Sequence, residues 1–181
     1  MQLIGLTGLN ASGKGTVADY LKDCGFAYYS LSDIVRDYAT EKGLDHSREN
    51  LIHCGNELRE KHGPGVLAIK AVEKLKKDGH NKVVVDSIRN IFEIAELKKI
   101  PGFFLIGIDA PAETRFERSK KRGRVGFETD LKAFIEIEQK ENSADPNKQQ
   151  LFECLKLAQA RVQNSGSIEE LKEKIKPYLM S

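Results

Sequence analysis

Apolar positions along this chain follow two periods, and the alternation between them sets out the elements. Leu3, Ile4 and Leu6 make a short apolar run, Lys82-Val83-Val84-Val85-Asp86 a second and Phe103 to Asp109 a third. Short, continuous runs of this kind are strands buried on both faces, as in a parallel sheet. Phe26 to Ser30 predicts a shorter aromatic strand, and Ala160 to Asn164 a weak last one. Helical spacing fills the intervals. Val17, Ala18, Tyr20 and Leu21 share one face of a helix over Lys14 to Asp23, which ends near Gly25. Ser30 with Asp33 three residues on predicts a capping box opening a helix to about Lys42. Arg48 to His62 carries Leu51, Ile52 and Leu58 on one side, until Gly63-Pro64-Gly65 breaks it. Val66 to Lys77 is amphipathic. Further helices are predicted over Ile91 to Lys99, Pro111 to about Arg122, Asp130 to Asn142, Gln149 to Gln159 and Ser167 to Leu179. The alternation predicts an α/β domain whose parallel sheet is covered on both faces.

Composition narrows the class of partner. The 181 residues hold 29 Lys plus Arg against 27 Asp plus Glu, a formal charge of +2. So even a balance argues against nucleic-acid or membrane-surface binding, and any anionic ligand must be met by locally placed cations. Cys24, Cys54 and Cys154 are far apart and form no C-x-x-C, which reads as reduced thiols. The four histidines show no metal spacing. No signal peptide or membrane-length apolar run is visible, so the cytoplasm is the expected location.

The chemistry starts at Gly8-Leu9-Asn10-Ala11-Ser12-Gly13-Lys14-Gly15-Thr16, between the first strand and the first helix. Strand, G-x-x-x-x-G-K, helix is the phosphate-binding P-loop pattern. Gly8 and Gly13 let successive N–H groups turn inward around an anion, the helix N-terminus adds its dipole, and Lys14 reaches the outer phosphates. Ligands of open parallel sheets gather beyond the strand C-termini. After the second strand stands Ser32-Asp33-Ile34-Val35-Arg36, and after the third Asp86-Ser87-Ile88-Arg89. Arg36 and Arg89 are candidates to grip an anionic acceptor, with Arg48 and Arg59 a weaker pair on the Arg48–His62 helix. Asp86, with the Thr16 hydroxyl, is the candidate Mg²⁺ site. Asp33 has three open roles: to hold Arg36 one turn on, to act as base on an acceptor hydroxyl, or to cap its helix. Arg118 and Arg122 are four apart beside the glycine-containing stretch Gly123 to Thr129, and suit a lid that excludes water during phosphoryl transfer. Asn81-Lys82-Val83-Val84 lacks the Asp of a guanine-reading Asn-Lys-x-Asp, so a GTPase switch is disfavoured.

Together these residues resemble the nucleoside-monophosphate-kinase branch of P-loop kinases, which includes adenylate kinases, dephospho-CoA kinases and archaeal adenylate-kinase-related proteins. Gly8 to Thr16 is similar to the G-x-x-x-x-G-K-G-T of adenylate kinases, with Gly15 where most P-loops carry Ser or Thr. Asn56-Glu57-Leu58-Arg59, Gly63-Pro64-Gly65-Val66 and Val85 to Asn90 resemble the adenylate-kinase-related proteins and the kinase-like domain joined to deoxycytidylate deaminases. The deaminase His-x-Glu and Pro-Cys-x-x-Cys motifs are absent. Asp109-Ala110-Pro111 with Arg115, Arg118 and Arg122 resembles the strand-to-lid segment. Asn164-Ser165-Gly166 resembles the loop that lies against the adenine in dephospho-CoA kinases. The likeness implies a three-layer P-loop NTPase fold with a five-stranded parallel sheet of order 2-3-1-4-5. It implies a single domain over residues 1–181, acceptor-side helices over about 32–78 and a short lid over about 115–142. Phosphotransfer from ATP with Mg²⁺ to a small nucleotide-like acceptor is the expected activity. A nucleoside or deoxynucleoside monophosphate is the leading acceptor and a dephospho-CoA-like hydroxyl the alternative. A non-catalytic nucleotide-binding module acting on a protein partner is the competing expectation.

Overall fold

Each predicted apolar run forms a strand, and the strands assemble into one sheet in a computed structural model that describes residues 1–121 and 130–179. The strands are β1 (Gln2–Thr7), β2 (Ala27–Ser30), β3 (Lys82–Ile88), β4 (Phe103–Asp109) and β5 (Ala160–Gln163). They pair in parallel in the order β2-β3-β1-β4-β5, the order the resemblance implies. The helices are α1 (Lys14–Asp23), α2 (Leu31–Glu41), α3 (Arg48–His62), α4 (Val66–Asp78) and α5 (Ile91–Lys98). Then follow α6 (Ala112–Lys121), α7 (Leu131–Glu141), α8 (Leu151–Lys156) and α9 (Ile168–Ile175), the last running into a 3-10 turn over Lys176–Leu179.

Alternation along the strands divides the core into two layers. Ile4, Leu6, Val84, Ile106 and Ile108 face α1 and α9, where they meet Val17, Leu21, Leu171 and Ile175. Leu3, Val83, Val85 and Leu105 face the other way, onto α2, α3, α4 and α5 through Val35, Leu58, Leu67 and Ile94. Nearly all of these side chains are sealed from solvent. Because both faces are used, the strands read as unbroken apolar runs rather than as alternating ones.

Three local expectations are corrected. Ser30 makes no side-chain cap for α2. The Asp33 carboxylate instead accepts a 2.6 Å hydrogen bond from Arg36 Nη1, so a stronger charged donor takes the carboxylate the box needed. The helix predicted over Gln149 to Gln159 shrinks to α8, because Gln149 and Gln150 are spent on the turn after β3: Gln149 Oε1 accepts from Arg89, and the Gln150 N–H donates to the Arg89 carbonyl. The third strand runs two residues further, to Ile88, through a bulge. Gly5 is level with Val85 but Thr7 is level with Ile88, so β3 carries one extra residue.

Candidate active site

Residues 8–13 leave β1 as a loop that only glycine permits at two points. Gly8 and Gly13 have φ of 149° and 108°. A Cβ on Gly8 would stand 2.1 Å from the Ile108 carbonyl oxygen, and one on Gly13 would stand 2.1 Å from Asn164 Nδ2. Gly13 brings no side chain to cap α1, so the first-turn amides and the positive end of the helix dipole face the loop. Lys14 Nζ donates to the carbonyls of Gly8 (2.7 Å) and Leu9 (3.0 Å). Ser12 is fully buried, and its Oγ has no hydrogen-bond partner among the described residues. A buried orphan hydroxyl inside a ring of backbone amides fits a bound phosphate oxygen. Gly15 has open space around its Cα, and Thr16 follows half-buried in the first turn of α1.

The far side of the loop is held by the chain after β5. Asn164 Nδ2 donates to the Ser12 carbonyl at 2.8 Å, and Asn164 in turn accepts from Arg118 Nη2 on its backbone oxygen at 3.1 Å. Asn164 and Arg118 therefore brace the phosphate loop from behind. Gly166 lies two residues on, where a Cβ would run into the Glu170 carboxylate. Arg122 lies outside the described residues, as does the connection Gly123 to Thr129.

Alternation along β3 puts Asp86 and Ser87 on opposite faces, and the bulge then returns Ile88 to the Val85 layer. Asp86 continues the Val84 face, toward α1 and the phosphate loop. It is buried, with Oδ1 accepting from the Ser87 N–H at 2.6 Å and Oδ2 from the Tyr28 hydroxyl at 3.3 Å. Burial, followed by the Asp86 charge, pushes the Tyr28 phenol up to about 12. Ser87 has φ of 65°, a left-handed conformation that costs a non-glycine residue, and it lines the opposite cavity. Among the described residues no cluster of three His, Cys, Asp or Glu side chains is placed to hold a metal. The oxygen donors of Asp86 and Thr16 are of the type that suits Mg²⁺.

That cavity, of about 390 Å³, opens between the ends of β2 and β3 and the helices α2 and α3. Arg36, Arg48, Arg59 and Arg89 all line it, against Glu141 as the one lining carboxylate among the described residues. Arg36 is the exposed member, paired with Asp33, which does not itself reach the cavity wall. Arg59 is held from behind by Glu93: Nε and Nη2 donate to Oε1 at 3.2 and 2.8 Å. Glu93 is wholly buried, and its other oxygen accepts the backbone N–H groups of Arg89 (2.8 Å) and Asn90 (3.1 Å). One carboxylate thus fixes both Arg59 and the turn that carries Arg89. Arg89 Nη1 donates to Gln149 Oε1 at 3.1 Å. Burial lowers its pKa from the usual guanidinium value, and the Glu141 and Asp86 charges work against that. A guanidinium remains protonated throughout.

Sequence reading offers Arg48 as a weak acceptor-side candidate and Arg115 in the strand-to-lid segment, but passes over the carboxylates of α7 that pair with them and close this site from above. Arg48 and Glu141 form a two-pronged pair, Nε to Oε1 and Nη2 to Oε2, both 2.6 Å. Asn10 of the phosphate loop donates to the same Glu141 at 3.4 Å, so α7, α3 and the loop meet at one carboxylate. One turn earlier on α7, the buried Glu138 pairs with Arg115 of α6, which also donates to the Ala110 carbonyl at 2.9 Å. Burial raises the Glu138 pKa above its usual value although Arg115 pulls it down. Phe116 and Phe134 pack beside this pair with ring centres 5.7 Å apart. Glu138 and Glu141 read in the sequence as two charges on a highly charged helix. The three-residue spacing that puts them on one face was the available signal.

Residues 4–145 match the AAA domain family. The chain is 35% identical over 184 residues to a UPF0200/UPF0201 protein of Archaeoglobus fulgidus, covering 99% of this chain and 55% of that protein. It therefore spans about half the length of that relative. It is 31% identical to a UPF0200 protein of Hyperthermus butylicus, covering 98% of this chain and 92% of the other. For a UPF0200 protein of Pyrococcus abyssi the figures are 32%, 96% and 92%. Among solved structures, TT1252 from Thermus thermophilus superposes with a TM-score of 0.65 at 21% identity, covering 99% of this chain and 96% of that one. The shikimate kinase of Aquifex aeolicus gives 0.60 at 19% identity over the same shares. These likenesses show a P-loop kinase fold, and no particular branch of it. Among the described residues no helix is long and apolar enough to cross a membrane.

Proposed function

We propose, from the premise that this chain belongs to the AAA domain family and to the UPF0200 proteins, that it is an ATP-dependent phosphotransferase of the nucleoside-monophosphate-kinase type. One observation carries this reading: a phosphate-cradling loop and a separate arginine-lined cavity share one rim of the sheet. A hydrolase needs only the first. A kinase needs a second pocket that holds an acceptor in line and keeps water out.

In this reading Gly8 to Thr16 hold the ATP phosphates, and Lys14 turns from the Gly8 and Leu9 carbonyls to the transferred group. Asn164 and Gly166 flank the nucleoside side of the donor. Arg118 and Arg122 bring cations from the lid. Arg89 and Arg36 grip the acceptor phosphate. Arg59 supports them from the cavity wall, and Asp33 holds Arg36 in reach. Asp86 and Thr16 would hold a Mg²⁺ ion, whose charge offsets the negative charge of the donor phosphates.

The test is incubation of the protein with Mg-ATP and a panel of nucleoside monophosphates, deoxynucleoside monophosphates and dephospho-CoA, reading ADP and the phosphorylated product together. Transfer to a monophosphate is the expected result. Tight ATP binding with no transfer to any acceptor overturns the reading in favour of a nucleotide-sensing module.

A further inference from the structure

The cavity that the functional reading assigns to the acceptor has a charge pattern that selects among anions, and this inference rests on that reading. Three of its four arginines already face a carboxylate: Arg36 faces Asp33, Arg59 faces Glu93 and Arg48 faces Glu141. Arg89 makes no ion pair among the described residues, and its side chain donates to the neutral Gln149 amide. The three carboxylates differ in position. Asp33 is exposed and outside the cavity wall, and Glu93 is buried behind it. Glu141 alone lines the cavity, and it takes Arg48 in the two-pronged geometry that a phosphate group would otherwise take. It is held there from a second side by Asn10.

We propose that Glu141 is the specificity-determining residue of this cavity. Its carboxylate occupies Arg48 in place of a second phosphate, so the cavity accepts an anion with one phosphate group and rejects a diphosphate. Attraction for the first phosphate comes from Arg89, with Arg36 able to exchange its exposed partner for it. A second phosphate meets a fixed negative charge where it needs a cation, and like charges that close cost an order of magnitude or more in affinity.

Glu141→Gln keeps the shape of the side chain and a carbonyl oxygen for Arg48 while removing the charge. The experiment titrates wild type, Glu141→Gln and Glu141→Asp with inorganic phosphate and with pyrophosphate, by calorimetry and without magnesium. Saturating ADP is added first so that the phosphate loop is occupied. Glu141→Gln should tighten pyrophosphate by about tenfold, the worth of one charge-assisted hydrogen bond, and phosphate by less than about threefold. Glu141→Asp should keep the wild-type preference. Equal tightening of both probes, no change in either, or no binding of either by any of the three proteins overturns the proposal. The ADP titration reports on the phosphate loop separately. Failure of ADP to bind counts against the functional reading, whereas ADP binding with an unchanged anion preference counts against Glu141 alone.

Discussion

Glu93 offers the sharpest test of how the arginine-lined cavity is built. Glu93→Ala leaves Arg59, only 4% exposed in the cavity wall, without its buried counter-charge. Breaking a buried pair from one side costs about 3–5 kcal/mol. The same change removes the acceptor for the backbone N–H groups of Arg89 and Asn90, worth about 1–3 kcal/mol more where those groups stay dry. The expected loss, about 4–8 kcal/mol, is comparable with the whole stability of a domain of this size, about 5–15 kcal/mol. The double substitution Arg59→Met/Glu93→Leu removes both charges and should regain at least half of that loss, because an apolar pair of similar volume carries no unpaired ion. Urea unfolding followed by far-UV circular dichroism measures all three proteins. A loss under about 1 kcal/mol for Glu93→Ala would refute the argument, as would a double variant no more stable than the single one.

Lys14→Ala should abolish most phosphotransfer and leave the urea midpoint near that of wild type, since the lysine's bonds to the Gly8 and Leu9 carbonyls stay within its own loop; wild-type turnover would remove Lys14 from its role. Arg89→Ala should raise the acceptor KM at least tenfold and the ATP KM by less than about threefold, and equal effects on both would move Arg89 to the donor side. Lys42 and Lys61 hold the Glu57 carboxylate down at about 2 against an ordinary 4.5. A depressed carboxylate stabilises the fold fully above its unfolded value, and that contribution is lost as pH falls from about 4.5 through about 2. Thermal melts of wild type and Glu57→Gln should therefore differ at pH 7 and converge near pH 2, and a constant gap would count against the assignment.

What could be read from the sequence was whatever is local. Strands announced themselves because both faces are buried, and with them came the residues at their ends: Asp33, Arg36, Asp86 and Arg89. Their position on one rim followed from the topology of parallel sheets. The phosphate loop was legible because its geometry depends on glycines at fixed spacing. The closure of the site was not legible. Arg48 and Glu141 are 93 residues apart, and Asn10 and Glu141 are 131 apart. No local pattern records such a partner, and a charged residue on a helix is usually a solvated one. The Ser30–Asp33 box failed for a related reason: the pattern was present, but Arg36 was a better partner for the same carboxylate. The bulge at Asp86 and Ser87 was hidden because an extra residue in a strand changes the facing of side chains without changing their hydrophobicity.

The amide of Asn164 reaches the Ser12 carbonyl across 152 positions of the chain. Chain growth thus runs opposite to site completion. Residues 8–16 are made well before Asn164, yet their rear support arrives only when the edge strand β5 has been made and laid beside β4. Contacts this distant in sequence form late, after the loops between them have closed. A braced loop is then a sign that synthesis has passed β5. A nascent or truncated product that ends before Asn164 carries the whole phosphate-loop motif and lacks the brace behind it.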